Sequence, residues 1–183
     1  MKALPGTQRP LVLLGAGGHA LVLLALAVAA GHRVKGVCDP RLAAGGAQHW
    51  QGLPVLGDDS AAEAESPAAV GLINGIGQLP GGTARRQLFE RMCARGFHFP
   101  PLVHPTAWIA PDVALGEGAQ IMAGAIIQPG SRIGENSIVN TRAGIDHDCT
   151  VGADVHIAPA ATLCGGVTIG NGAFIGAGAI LTH

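Results

Sequence analysis

Between Asn140 and Pro159 the chain reads NTRAGIDHDCTVGADVHIAP, and these twenty residues hold two histidines, three aspartates and one cysteine. Such types in so short a span admit three chemistries. His147, flanked by Asp146 and Asp148, suits proton transfer: an imidazole changes charge near neutral pH, and a neighbouring carboxylate orients the ring and stabilises its charged form. Cys149 beside it invites a covalent mechanism. His147, Asp148 and His156 are also metal-ligand types, but a catalytic zinc of this kind takes three close histidines with a fourth position open, and only two histidines lie here. A lone surface histidine is by default merely solvated, so the surrounding spacing has to decide.

That spacing is strict. From Val103 to Leu181 every sixth residue is Val, Ile or Leu: Val103, Ile109, Leu115, Ile121, Ile127, Ile133, Val139, Ile145, Val151, Ile157, Leu163, Ile169, Ile175 and Leu181. Four residues beyond each aliphatic stands a small or β-branched one. A six-residue period is the signature of a parallel β-helix, in which each hexad makes one flat side and its corner, and three hexads make a coil. The 79 residues from Val103 to Leu181 therefore give a little over four coils. Cys149 falls on a small inward position, equivalent to Ala143 and Ala161, and reads as packing rather than as a nucleophile. Asp146, His147 and Asp148 fall on the exterior, and His156 just precedes the inward Ile157. A β-helix this narrow is filled by its own side chains, so a ligand must sit outside it.

The residues before the hexads read differently and set a boundary of two domains, 1–100 and 101–183. Pro10 to Leu14 suit a buried parallel strand, Gly15-Ala16-Gly17-Gly18-His19-Ala20 a tight turn, and Ala20 to Ala30 a helix. RVKGVCDP gives a second strand ending at Asp39, twenty residues beyond His19. This is the fingerprint of a phosphate-binding turn, where the backbone N–H groups at a helix N-terminus meet negative charge. Asp39 would accept hydrogen bonds from a ribose or a base. After PVLG, the stretch AAVGLING gives a third strand and TARRQLFERMCARG an amphipathic helix. One such half suits a single nucleotide diphosphate better than NAD, which spans two. The apolar stretch Leu11–Ala30 imitates a signal or membrane segment, but GAGGH interrupts it and no membrane insertion is expected.

A formal net charge of -1 argues against a nucleic-acid surface. With 29 glycines, 3% aromatics and no tyrosine, the core must be filled by small aliphatics. Four cysteines far apart, with no C-x-x-C pair, read as reduced thiols of a cytoplasmic protein.

Through GAGGHA, VCDP, PVLG, INGIG, LVHPTAWIAPDVALGEGAQI, NTRAGIDHDCTVG and VHIAP the chain resembles the hexapeptide-repeat sugar acetyltransferases of the sialic acid O-acetyltransferase and bacillosamine N-acetyltransferase family. The resemblance implies an α/β Rossmann-like half-fold followed by an all-β left-handed parallel β-helix. It implies a homotrimer, with acetyl-CoA between adjacent β-helices and a nucleotide-linked amino sugar on the first domain. It also implies further coils and a closing segment, so that 101–183 reads as a β-helix truncated at its C-terminus. On these terms His147 is the general base and Asp148 raises its basicity. His156 contacts acetyl-CoA, with Gly165 and Ala177 along the same path. Gly17, Gly18, His19 and Asp39 hold the nucleotide sugar, and Asn140 is a hydrogen-bonder to substrate or at the interface. Acetyl-CoA is a co-substrate and no metal is expected. The implied reaction is N-acetylation by direct attack of the amine on the thioester, with sialic acid or sugar O-acetylation as the alternative. A zinc-dependent β-helix enzyme, an NAD-linked redox enzyme and a trimeric scaffold are the rival classes; thermal stabilisation by acetyl-CoA, zinc, NAD or none of them separates the four.

Overall fold

The computed structural model describes residues 9–182. Contacts divide the chain into two compact units, one made of residues up to Gly77 together with Thr83–Pro100, the other of Gln78–Gly82 together with Pro101 onward. A boundary drawn at residue 100 thus misses one exchange: five residues of the first stretch belong with the second unit.

The first unit is built around β1 (Leu11–Leu14), whose four residues are all buried. It is followed by α1 (Gly18–Ala29), β2 (Val34–Cys38), α2 (Pro40–Ala44), β3 (His49–Trp50), β4 (Leu53–Gly57), α3 (Asp59–Glu63), β5 (Gly71–Asn74) and α4 (Ala84–Ala94). The strand order is β3-β4-β2-β1-β5, parallel throughout except for the β3–β4 pair. A strand buried on both faces must be apolar without alternation, which is why LVLL sits at the centre. PVLG is itself a strand of the sheet, paired through Val37 and Val55. Two five-residue helices also interrupt stretches that hydrophobic period alone does not reveal, each started by an aspartate, Asp39 or Asp58, whose side chain accepts from backbone N–H groups of the first turn. The long apolar run of the sequence is divided between β1 and α1, and among the described residues no helix is long and apolar enough to cross a membrane.

The second unit is a left-handed parallel β-helix with three faces. The first face carries β6 (Leu102–Val103), β9 (Gln120–Ile121), β12 (Ile138–Val139), β15 (His156–Ile157) and β18 (Phe174–Ile175). The second carries β7 (Trp108–Ile109), β10 (Ile126–Ile127), β13 (Gly144–Ile145), β16 (Thr162–Leu163) and β19 (Ile180–Leu181), and the third β8 (Ala114–Leu115), β11 (Arg132–Ile133), β14 (Thr150–Val151) and β17 (Thr168–Ile169). In every strand the second residue is the hexad aliphatic, and these side chains with the small corner residues form one continuous core. Each fully buried Ile or Leu of that column contributes about 1.5–3 kcal/mol of transfer free energy.

The corners are as regular as the faces. From residue 118 to residue 178 every sixth residue is left-handed: Gly118, Gly124, Gly130, Asn136, Arg142, Asp148, Asp154, Ala160, Gly166, Gly172 and Gly178, with φ between 54° and 75°. Coils stack closely at the corner after the third face. A Cβ on Gly134 would lie 2.4 Å from the backbone of Gly152.

Candidate active site

The chemistry-bearing cluster occupies the corner where β13 turns into β14. The backbone there is fixed by the coil ladder: Asp148 N–H donates to Pro129 O in the preceding coil, and Gly166 N–H in the following coil donates to His147 O, both at 2.9 Å. Asp146 Oδ1 accepts from His147 N–H at 2.8 Å, closing the turn from its own first residue. Ser131 stitches the corner from below, donating Oγ–H to Asp146 O and accepting from Cys149 N–H.

This scaffold aims two side chains at one another. His147 Nδ1 lies 2.9 Å from Asp148 Oδ2. An ionised carboxylate only accepts, so Nδ1 carries the hydrogen and the neutral ring keeps its Nε2 lone pair bare. That nitrogen projects over Gly165, where a Cβ would come within 2.6 Å of it. On the far side the carboxylate of Asp148 lies over Gly130, whose Cβ would fall 2.3 Å from Oδ1. The pair therefore fits only between two residues without side chains. The Asp148 hydrogen bond, and then the charge of Asp146, hold the His147 pKa above the usual histidine value. Both side chains are largely exposed, at 62% and 72%, so the imidazole faces outward to whatever meets this corner.

Cys149 is fully buried, its Sγ 3.2 Å from Cys164 O, and burial pushes its pKa up. A buried thiol with a raised pKa is a poor nucleophile, in keeping with a packing role. Among the described residues no group of three or more His, Cys, Asp or Glu is placed to hold a metal ion.

His156 is placed differently. It points outward from β15 on the first face, yet it is only 9% exposed. Its Nδ1 is 3.1 Å from Gln78 O and its Nε2 is 3.1 Å from Asn140 Nδ2, while Phe174 meets the ring edge-on at a centroid distance of 4.9 Å. Asn140 opens the corner between the first and second faces, and Ala177 lies two coils further along that same corner. Gly165 instead belongs with His147. The three residues expected along an acetyl-CoA path, His156, Gly165 and Ala177, thus fall on a face and two different corners. In a three-sided prism the first face does not border the His147 corner, so one β-helix does not bring His147 and His156 into a single site.

In the first unit Gly17 is the extended N-cap of α1, and Gly17 and Gly18 are open to solvent, with nothing within 4 Å of where a Cβ would be. His19 follows in the first turn, its Cβ 3.3 Å from the position a Cβ on Gly77 would take. Asp39 is not the open acceptor expected for a ribose. It is 5% exposed; Oδ2 accepts from Ala16 N–H at 2.9 Å, and Oδ1 from Arg41 and Leu42 N–H. Its carboxylate pins the glycine turn to the start of α2, so it shapes that turn from behind. Gln78 is a contact that sequence reasoning missed, because 78 residues separate it from His156 and no local pattern marks it. Ser131 was legible only as one of the small residues four beyond an aliphatic, and Gly130 was not singled out.

The comparisons with known proteins agree with this architecture. The family model described as the PglD N-terminal domain matches residues 10–92, and the one described as bacterial transferase hexapeptide (six repeats) matches residues 148–183. Among solved structures, the chain is 34% identical to the acetyltransferase domain of PglB from Neisseria gonorrhoeae, with a TM-score of 0.83 over 95% of this chain and 91% of that one. The same domain in complex with acetyl coenzyme A matches at 32% identity and a TM-score of 0.81, covering 95% and 93%. A histidine-to-asparagine variant of perosamine N-acetyltransferase from Caulobacter crescentus, in complex with CoA and GDP-perosamine, matches at 30% identity and a TM-score of 0.79, covering 96% and 89%. With 34% identity over 95% of its length to a solved acetyltransferase domain, and with family models matching in both units, the chain belongs to the family of hexapeptide-repeat sugar acetyltransferases.

Proposed function

We propose that this protein transfers the acetyl group of acetyl-CoA to the amino group of a nucleotide-linked amino sugar, with His147 as the general base. The observation that carries the reading is the His147–Asp148 pair, with Nδ1 committed to the carboxylate and Nε2 bare over Gly165. An amine held near Nε2 as an ammonium loses a proton to it, and the freed lone pair attacks the thioester carbonyl. Collapse of the tetrahedral adduct breaks the C–S bond, the imidazolium is the nearest acid for the departing thiolate, and the surplus proton on the acylated nitrogen passes to solvent. Asp148 stabilises that imidazolium. The open amide end of α1, with Gly17, Gly18 and His19, would receive the diphosphate. The perosamine N-acetyltransferase solved with CoA and GDP-perosamine, and the PglB domain solved with acetyl coenzyme A, support this choice of substrates.

A homotrimer with sites between subunits goes with the reading. His147 and His156 can serve one acyl donor only if two copies supply them, and the second face exposes Trp108 and Ile126 on adjacent rungs, with Ile180 at its far end beyond Gly144 and Thr162. Four cysteines, none of them in a disulfide, fit a reducing, cytoplasmic setting. Acetylation of a sugar hydroxyl, as on sialic acid, would use the same base. The deciding experiment supplies acetyl-CoA with a panel of nucleotide-linked amino sugars and sialic acids, reads products by mass spectrometry, and repeats the panel with His147→Ala. One amino sugar nucleotide should be acetylated by the intact protein and barely by the variant. Equal rates from both proteins would remove His147 from the mechanism.

A further inference from the structure

Gln78 is bound to the β-helix at two points. Its side-chain Nε2 donates to Asp154 O, and its backbone carbonyl receives the Nδ1 hydrogen of His156. The side-chain Oε1 is buried with no hydrogen-bond partner, so the amide holds its place through the Nε2 contact. The chain then leaves through a tight turn in which Gly82 N–H donates to Leu79 O, with Gly81 at φ 72°.

The donor and acceptor inventory fixes the ring's protonation pattern. A backbone carbonyl can only accept, so the hydrogen of the neutral imidazole resides on Nδ1. Asn140 is fixed independently: its Oδ1 accepts from Thr141 N–H at 2.7 Å and from Thr141 Oγ, which turns Nδ2 toward His156. The amide donor therefore faces a bare Nε2, and the two assignments agree.

We propose that Gln78 is a positioning residue, which holds His156 in the Nδ1–H form so that Nε2 meets the acyl donor as a hydrogen-bond acceptor. Resting on the acetyltransferase reading above, this specifies the polarity of the contact. The group that replaces Asn140 Nδ2 at Nε2 is an N–H, and the pantetheine arm of acetyl-CoA offers secondary amides of that kind. A thioester or amide carbonyl is excluded from Nε2.

The test uses the full chain labelled with 15N at histidine, and reads the ring nitrogens of His156 by NMR without ligand. The wild type should show Nδ1–H and a bare Nε2. In Gln78→Ala, which removes the anchor on Asp154, the two tautomers should mix, KM for acetyl-CoA should rise about tenfold, and kcat and KM for the sugar nucleotide should hold. Should that variant fail to fold, Asn140→Asp reads the same property. A carboxylate then faces Nε2 while Nδ1 still donates to Gln78 O, so the ring should take a second proton. A wild-type ring with Nε2–H, a singly protonated ring in Asn140→Asp, or a Gln78→Ala protein with mixed tautomers and unchanged KM for acetyl-CoA would each overturn the proposal. The tautomer spectra need no turnover, so they stand even if acetyl-CoA proves not to be the donor; absence of acetyl-CoA binding by the wild type would sink the transferase reading and the acceptor role with it.

Discussion

The ring of His147 rests against Gly165 so closely that a Cβ on residue 165 would fall 2.6 Å from Nε2 and 2.7 Å from Cε1. Gly165 is outside the set of left-handed residues, so alanine suits its backbone. Gly165→Ala should therefore leave folding stability within about 0.5 kcal/mol, because an exposed ring can swing away. Turnover should fall about a hundredfold, because the ring can no longer keep both its carboxylate partner and its outward Nε2. Stopped-turnover assays beside thermal melts check the two halves.

The pH profile carries a definite sign. In the proposed role of base His147 would act only when neutral, and its pKa is raised, first by Asp148 and then by Asp146. Activity should thus climb with pH through that elevated value and level off above it. Asp148→Asn removes the larger cause, so the acid limb should move to lower pH while the plateau drops about tenfold, the weaker base transferring protons less well. An unmoved limb in kcat/KM would show that another group titrates.

Thiol reagents should distinguish the cysteines. Burial, then the charges of Asp59 and Glu65, push Cys38 up to about 11, and Cys149 is fully buried with a raised pKa. Both should resist labelling near neutral pH until the protein unfolds. Cys149→Ala should cost about 1 kcal/mol and keep turnover within about twofold; loss of activity with stability intact would revive a covalent mechanism.

Coil stacking should be measurable at one glycine. Gly134→Ala forces a methyl group against the backbone of Gly152, at 2.4 Å, and should lower stability by about 3 kcal/mol, a Tm drop on the order of 10 °C. Gly170→Ala, with nothing within 4 Å of the new Cβ, should be close to neutral.

Asp39 separates a structural from a ligand role. Its loss frees the N–H groups of Ala16, Arg41 and Leu42, so Asp39→Ala should cost about 2 kcal/mol. Weakened sugar-nucleotide binding with unchanged stability would instead place the ribose on its carboxylate.

What could be read from residue order was whatever repeats locally. Fourteen aliphatic positions, the inward Cys149 and the outward His147 all follow from a six-residue period, since two side chains in six, one aliphatic and one small, face a narrow core. The turn after Leu14 was legible because glycine clusters where a strand gives way to a helix. The five-residue helices after Asp39 and Asp58 were not, since each depends on a single cap rather than on periodicity. Asp39 was read as facing a ligand because its place at the end of β2 is where such an acid sits, whereas its direction is set by the backbone of Ala16, 23 residues earlier. Gln78 and His156 meet only in three dimensions.

The left-handed bend at Asp148, with φ 58°, narrows the choice of reagent there. Aspartate and asparagine enter that conformation cheaply, while branched side chains resist it. Successive rungs of the prism thus restrict which amino acids can be recruited as the imidazole's companion before any substrate is selected. An inherited kink in the polymer, as much as reactivity, decides which acids natural variation can try at this spot.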